Sequence, residues 1–400
     1  MQRIILLALS FIIYQVKAQG IRYLNEVFDS VKVISNVSYG NAVNASGQMQ
    51  NLKLDIYLPK NDTASRRPLI IWMHGGSFIS GSKDNPEIVP FAQRFAKRGF
   101  VCASVQYRLG LDGFPPNQQI VLRSVIRAVQ DGKGAVRFLR ANASSYGIDT
   151  THIFFGGSSA GAITALHIGY LNSLEEFQIE ADSSLIISLG GLEGGNDAAP
   201  GYSSKIHGVI NLCGAIGEKA WIVPGDIPVA SVHGDQDAIV PYKSDEIKFQ
   251  GLPLGLVVDG SYVIDSFANA IGVQSALKTF YGQGHVPYVN NLNSAIYLDS
   301  TINFLAPHVY SWLGLSTSKS LAYHSIGNVF PNPVKQVLNV QTLSYGNYQV
   351  RIMNLQGQTV YEQNVHGNLF SLDVSELPKG MYFLNLQSET QSQNFKFMKE

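Results

Sequence analysis

One pentapeptide, Gly157-Ser158-Ser159-Ala160-Gly161, limits what this 400-residue chain can fold into more than any other stretch. It follows the apolar run Ile153-Phe154-Phe155 and precedes a helix-like segment that continues from Ala162 to Leu171. A serine in this G-x-S-x-G setting sits on a tight strand-to-helix turn, hydroxyl exposed and a helix N-terminus behind it. Glycines at 157 and 161 let the backbone turn sharply and let strand and helix approach without Cβ collisions. An ordinary Gly/Ser turn has the same letters; the strand before and the helix after point to a catalytic serine.

The flanking pattern agrees. From Pro68 onwards, apolar strands (Leu69 to Met73, Val101 to Tyr107, His152 to Phe155, Val209 to Cys213, Pro228 to Val232) alternate with amphipathic helices (Glu87 to Lys97, Gln118 to Ala141, Ala160 to Leu171). Such alternation predicts an α/β fold with a doubly wound, mostly parallel sheet covered on both faces. An alternating antiparallel strand, Leu52 to Leu58, precedes it and pairs with Val31 to Val37; a final helix spans Tyr288 to Leu313. Leu174 to Ser204 and Lys243 to Ala268 read as irregular insertions.

Composition excludes several functions. Lys plus Arg and Asp plus Glu each number 29, so no basic surplus exists to neutralise phosphates, and nucleic acid is not an expected partner. Arg3, the short apolar run Ile4 to Ile13 and Val16-Lys17-Ala18 form an export signal over residues 1–18. No other segment is long and apolar enough to cross a bilayer as a helix. The two cysteines, Cys102 and Cys213, lie in separate apolar strands and are expected as buried thiols.

A serine hydroxyl attacks only when a base takes its proton and donors stabilise the resulting oxyanion. His285, in Gly282-Gln283-Gly284-His285, lies on a loop between a short apolar strand and the last helix, after both Ser159 and the acid candidates. Those candidates are Asp235 and Asp237, at the end of the strand reaching Val232. Either can orient an imidazole and balance its charge. Trp72-Met73-His74-Gly75-Gly76-Ser77-Phe78 follows another apolar strand, and its glycines can turn backbone N–H groups towards a ligand. Trp221 is a candidate wall of the substrate pocket. No cluster with metal-ligand spacing and no phosphate-cradling loop is evident, so neither metal nor cofactor is expected.

Residues from about 50 to 313 resemble an α/β-hydrolase of the carboxylesterase/lipase type. The resemblance rests on HGGSF at 74–78, VQYRLG at 105–110, GGSSAG at 156–161, HGDQDAIVP at 233–241 and GQGH at 282–285, in that order. It implies a triad of Ser159, Asp237 and His285, with Asp237 favoured by the H-G-x-x-D-x-x-V-P pattern. It also implies an oxyanion hole from the amides of Gly76, Ser77 and Ala160, with His74 bracing the loop and Tyr107 and Arg108 bracing the core beneath. The hydrolase region would run over residues 19–315. Its expected partner is an ester, of short acyl groups or of a decorated polysaccharide or polyester. Rival readings are a serine peptidase, which would normally carry a propeller too large for the N-terminal residues, and a non-catalytic adhesin or carbohydrate-binding protein on the same fold.

The C-terminal region differs. Ser316-Thr317-Ser318-Lys319-Ser320 opens a polar linker over 316–326, and short strands without helical period follow, as in a small β-sandwich over 327–400. Asn328 to Pro333, Leu338-Asn339-Val340, Gly380 to Phe383 and Lys396 to Lys399 resemble the sorting domain of type IX secretion substrates. That implies recognition by an outer-membrane export machine and a secreted or cell-surface location.

Overall fold

The computed structural model describes residues 21–176, 180–249, 252–315, 327–388 and 392–400. The expected export signal and linker lie outside these residues. The chain divides into two compact units: residues up to 233 with 237–278 and 285–315, and residues 234–236, 279–284 and 316–400.

The first unit is built on an eight-stranded sheet. Strands β1 (Val31–Val43) and β2 (Met49–Pro59) form an antiparallel pair, and β2 joins β4 (Val101–Val105) antiparallel. Next come β3 (Arg67–Met73), β5 (Ile148–Ser158), β6 (Val209–Leu212), β8 (Val229–Gly234) and β11 (Ser275–Phe280), giving the order β1-β2-β4-β3-β5-β6-β8-β11. The pairs β4–β3, β3–β5, β5–β6 and β6–β8 are parallel. Every residue of β3, β4, β6 and β8 is buried, which explains why they read as continuous apolar runs. Helices α1 (Val89–Ala96), α2 (Gln118–Ala141), α3 (Ala143–Tyr146), α4 (Ala160–Tyr170) and α5 (Glu180–Ser188) connect the strands. Helix α2 begins where expected because the Asn117 side chain accepts the Ile120 amide at 3.0 Å, an N-cap. Strands β3 and β5 separate Cys102 on β4 from Cys213 beyond β6, and no disulfide joins them.

Two regions depart from expectation. Lys243 to Ala268 is not irregular: β9 (Ser244–Phe249) and β10 (Leu252–Gly260) pair with β7 (Ala215–Ile216) in a small antiparallel sheet, followed by α6 (Ser261–Ala270). The expected single last helix is two, α7 (Pro287–Asn290) and α8 (Ser294–Ser311). The break falls at Asn291-Leu292-Asn293, where Asn291 Oδ1 accepts the Asn293 amide at 2.8 Å, a local turn that competes with helix.

In the second unit, β12 (Gly327–Phe330), β13 (Val337–Met353), β14 (Thr359–Asp373), β15 (Gly380–Gln387) and β16 (Ser392–Lys399) form an antiparallel sheet. The short strands expected at 337–341 and 348–354 are one long strand with a register shift between Gln341 and Gly346. Its first half pairs with β12 and the end of β14, its second half with the start of β14 and with β15. Inward side chains from both halves, among them Leu338, Val340, Ile352, Leu384 and Phe397, share one core. The expected strands therefore belong to one five-stranded antiparallel sheet with a single core.

Candidate active site

Ser159 lies at the junction of β5 and α4, with φ 53° and ψ −117°, and is 6% exposed. Positive φ is costly for a residue with a Cβ, and persists only when the surroundings enforce it. They do so here. Its amide donates to the Leu212 carbonyl at 2.8 Å, tying the turn to the end of β6. A Cβ on Gly157 would collide with the backbone of Gly161, and one on Gly161 with the Met73 carbonyl of β3. Both glycines are therefore spatial requirements.

The imidazole of His285 arrives on the loop between β11 and α7. Its Nε2 accepts the Ser159 hydroxyl at 2.8 Å, and its Nδ1–H donates to Asp237 Oδ2 at 2.6 Å. The Asp237 carboxylate is fully buried, while the His285 side chain is 15% exposed. Burial raises the Asp237 pKa, but hydrogen bonds from His233 and His285 outweigh it and hold the carboxyl well below the usual carboxylate range. Asp237 Oδ1 also accepts the amides of Ile239 (2.8 Å) and Val240 (3.0 Å). Asp235 is engaged elsewhere: its Oδ1 accepts the Gly282 amide at 2.6 Å.

Sequence reasoning gave His233 no role, yet it is completely buried and its Nε2 meets Asp237 Oδ2 at 3.1 Å and the Val240 carbonyl at 3.2 Å. Its Nδ1 meets the Ser261 hydroxyl at 2.7 Å, and that oxygen accepts the Asn211 amide at 3.0 Å. With Nδ1 accepting from Ser261, the Nε2–H is left to brace the acid. The only sequence signal was a histidine four residues before Asp237, at the end of an apolar strand.

The HGGSF loop lies against the serine: a Cβ built on Gly75 would come within 3.1 Å of the Ser159 Cβ. Gly76 (φ 110°), Ser77 (φ 53°) and Phe78 (φ 63°) are all left-handed. No hydrogen bond among the described residues engages the amides of Gly76, Ser77 or Ala160. Ala160 opens α4, so its N–H belongs to the first helical turn, where donors have no intrahelical partner. His74 is buried, donates Nδ1–H to the Gly75 carbonyl at 2.7 Å and stacks on Tyr107 at 4.4 Å. Burial pushes its pKa down to about 4, so it is a neutral brace and no rival base. The Tyr107 hydroxyl donates to the His74 carbonyl at 3.0 Å, and Arg108 pairs with buried Asp131 at 2.8 Å, bracing the core as expected. Trp221 is buried, gives its indole N–H to the Glu176 carbonyl at 3.1 Å and packs edge-on against His167. These are packing contacts.

Residues 54–216 match the BD-FAE family model, and residues 328–400 match the Secretion system C-terminal sorting domain. Gut esterase 1 of Caenorhabditis elegans is 35% identical over 111 residues, 28% of this chain and 19% of that protein. Secreted lipase 5 of Gibberella zeae is 26% identical over 247 residues, 56% of this chain and 44% of that protein. The chain thus spans less than half the length of these relatives. The structure of Thermogutta terrifontis esterase 2 phosphorylated by paraoxon superposes with a TM-score of 0.50 at 22% identity, covering 73% of this chain and 97% of that one. Shared fold is what this last likeness establishes.

Proposed function

We propose that this chain, an α/β-hydrolase of the carboxylesterase/lipase type joined to a type IX secretion sorting domain, hydrolyses carboxylic esters through an acyl-enzyme on Ser159. The observation that carries the reading is the unbroken chain Ser159 Oγ to His285 Nε2 (2.8 Å) and His285 Nδ1 to Asp237 Oδ2 (2.6 Å). His285 takes the hydroxyl proton as Ser159 attacks the ester carbonyl. The amides of Gly76, Ser77 and Ala160 receive the developing oxyanion, each worth ~3 kcal/mol in the transition state. The imidazolium, balanced by Asp237, protonates the departing alcohol, and His285 then activates water to release the acid.

The substrate is an ester of a short acyl group, carried on a polysaccharide or polyester outside the cell. Between 174 and 204 the described residues hold a single 3-10 turn (Leu174–Glu176) and the nine-residue α5, too little helix for a long lid. The sorting domain routes the protein through the type IX machinery to the cell surface or medium. A screen against p-nitrophenyl acetate, tributyrin, acetylated xylan, feruloyl esters and a synthetic polyester tests the reading. Turnover that disappears in Ser159→Ala is expected; no hydrolysis of any ester, or full activity in Ser159→Ala, contradicts it.

A further inference from the structure

Nine non-glycine residues among those described have positive φ, and five of them (Ser77, Phe78, Ser159, Cys213 and Val286) lie in the site or next to it. Four of these belong to the oxyanion loop, the nucleophile turn or the base loop. Cys213 has no place in the proposed reaction. Its φ is 56°, a conformation in which a Cβ is penalised and glycine would be easier, and glycine stands beside it at 214. The thiol is completely buried. The Tyr288 hydroxyl, which meets the Ser158 hydroxyl at 2.7 Å, also interacts with it.

The position of that sulfur matters. One ligand atom each from Cys213, Asp237 and His285 lie within 4.8 Å of one another. Thiolate, imidazole and carboxylate form a donor set suited to Zn²⁺ and to softer ions of its kind. Metal–ligand bonds of about 2.0–2.3 Å place neighbouring donors in a tetrahedron roughly 3.5 Å apart, so side-chain shifts of about an ångström complete three ligands. The fourth position of such a tetrahedron would be open to water.

We propose that Cys213, Asp237 and His285 form an inhibitory site for a thiophilic divalent cation, Zn²⁺ being the natural candidate, which silences the triad by seizing its base. The silencing rests on the reading of His285 as that base; the binding does not. The cation takes the Cys213 sulfur with loss of its proton, one Asp237 oxygen, and the Nδ1 lone pair of His285. The ring stays neutral by carrying its hydrogen on Nε2 instead of Nδ1, so one proton is released per ion bound. An Nε2–H cannot accept the Ser159 proton, and attack stops. Removal of the ion restores the Nδ1–H tautomer and the contact with Asp237.

The test uses the full secreted chain and two readouts. The first is hydrolysis of p-nitrophenyl butyrate against free Zn²⁺, each protein normalised to its own metal-free rate. The parent should lose activity reversibly, with full recovery on adding a chelator, and Cys213→Ala should need at least tenfold more Zn²⁺ for half inhibition. The second is the near-ultraviolet thiolate-to-metal charge-transfer band on titration with Cd²⁺, present in the parent and in Ser159→Ala and absent in Cys213→Ala. This band reads binding without turnover, so an inactive parent that still shows it contradicts the esterase reading alone. Equal Zn²⁺ sensitivity in the parent and Cys213→Ala, or no Cys213-dependent band, overturns the metal site. Cys213→Gly, which suits the left-handed backbone, replaces Cys213→Ala if that variant folds poorly.

Discussion

At the level of single residues, the serine depends on two orientations it does not control. In the proposed reaction its hydroxyl is useful only while Nε2 of His285 is unprotonated and points at it, and that tautomer is fixed by the carboxylate on Nδ1. The two neighbouring aspartates, of which the sequence pattern favours Asp237, have different partners. Asp237 holds the imidazole, and its own carboxylate is held by His233 and two backbone amides, whereas Asp235 clamps the Gly282 amide. Asp237→Asn keeps the shape but favours the wrong tautomer, so kcat should fall by roughly 10⁴. Asp235→Asn should leave kcat near the parent value, and equal losses in the two variants would mean the acid is misassigned. His233 shows what residue-level reading missed. A buried histidine that acts through a neighbour has no motif of its own, and only its 3.1 Å approach to Asp237 reveals it.

At the level of elements, the candidate site is assembled at the C-terminal ends of strands: the HGGSF loop after β3, Ser159 after β5, Asp237 after β8 and His285 after β11. These elements were legible because parallel strands buried on both faces leave apolar runs, and helix α2 announces itself with an N-cap and a long amphipathic period. The hairpin of β9 and β10 was not legible, since short strands on a small sheet mix polar with apolar residues and interrupt the alternation at Gly251 and Gly255. Nor was the length of β13, because a bulged strand near Tyr345-Gly346 has the composition of a turn. The contact between elements that matters most is the one between α4 and β3. A methyl group on Gly161 meets the Met73 carbonyl with no room to yield. Gly161→Ala should destabilise the protein by about 3 kcal/mol or more in urea unfolding. A loss within the few tenths ordinary for a tolerated glycine-to-alanine change would refute this packing.

At the level of the whole molecule, buried neutral histidines make stability depend on pH. Burial pushes His74 and His167 each down to about 4 from an ordinary value of 6.5. Both are then neutral in the fold, while the unfolded chain takes up protons as pH drops below about 6.5. Their contribution is fully present above that value and is lost progressively towards pH 4, at about 1.4 kcal/mol per pH unit for each histidine. The depressed carboxyl of Asp237 acts only lower down, below the usual carboxylate range. Calorimetric midpoints should therefore decline steadily from pH 6.5 to 4.5, and His167→Gln should shallow the slope; a flat profile over that window would refute the assignment. The second unit has its own core, and residues 328–400 match their own family model, which suits the proposed export module. The account as a whole depends on Ser159 being the activated nucleophile. Its most direct test is treatment of the folded protein with a fluorophosphonate probe, followed by intact mass and peptide mapping. One adduct, located on Ser159, absent from Ser159→Ala and strongly slowed in His285→Ala, is the predicted result. An unlabelled protein, or an adduct that survives in Ser159→Ala, would contradict it.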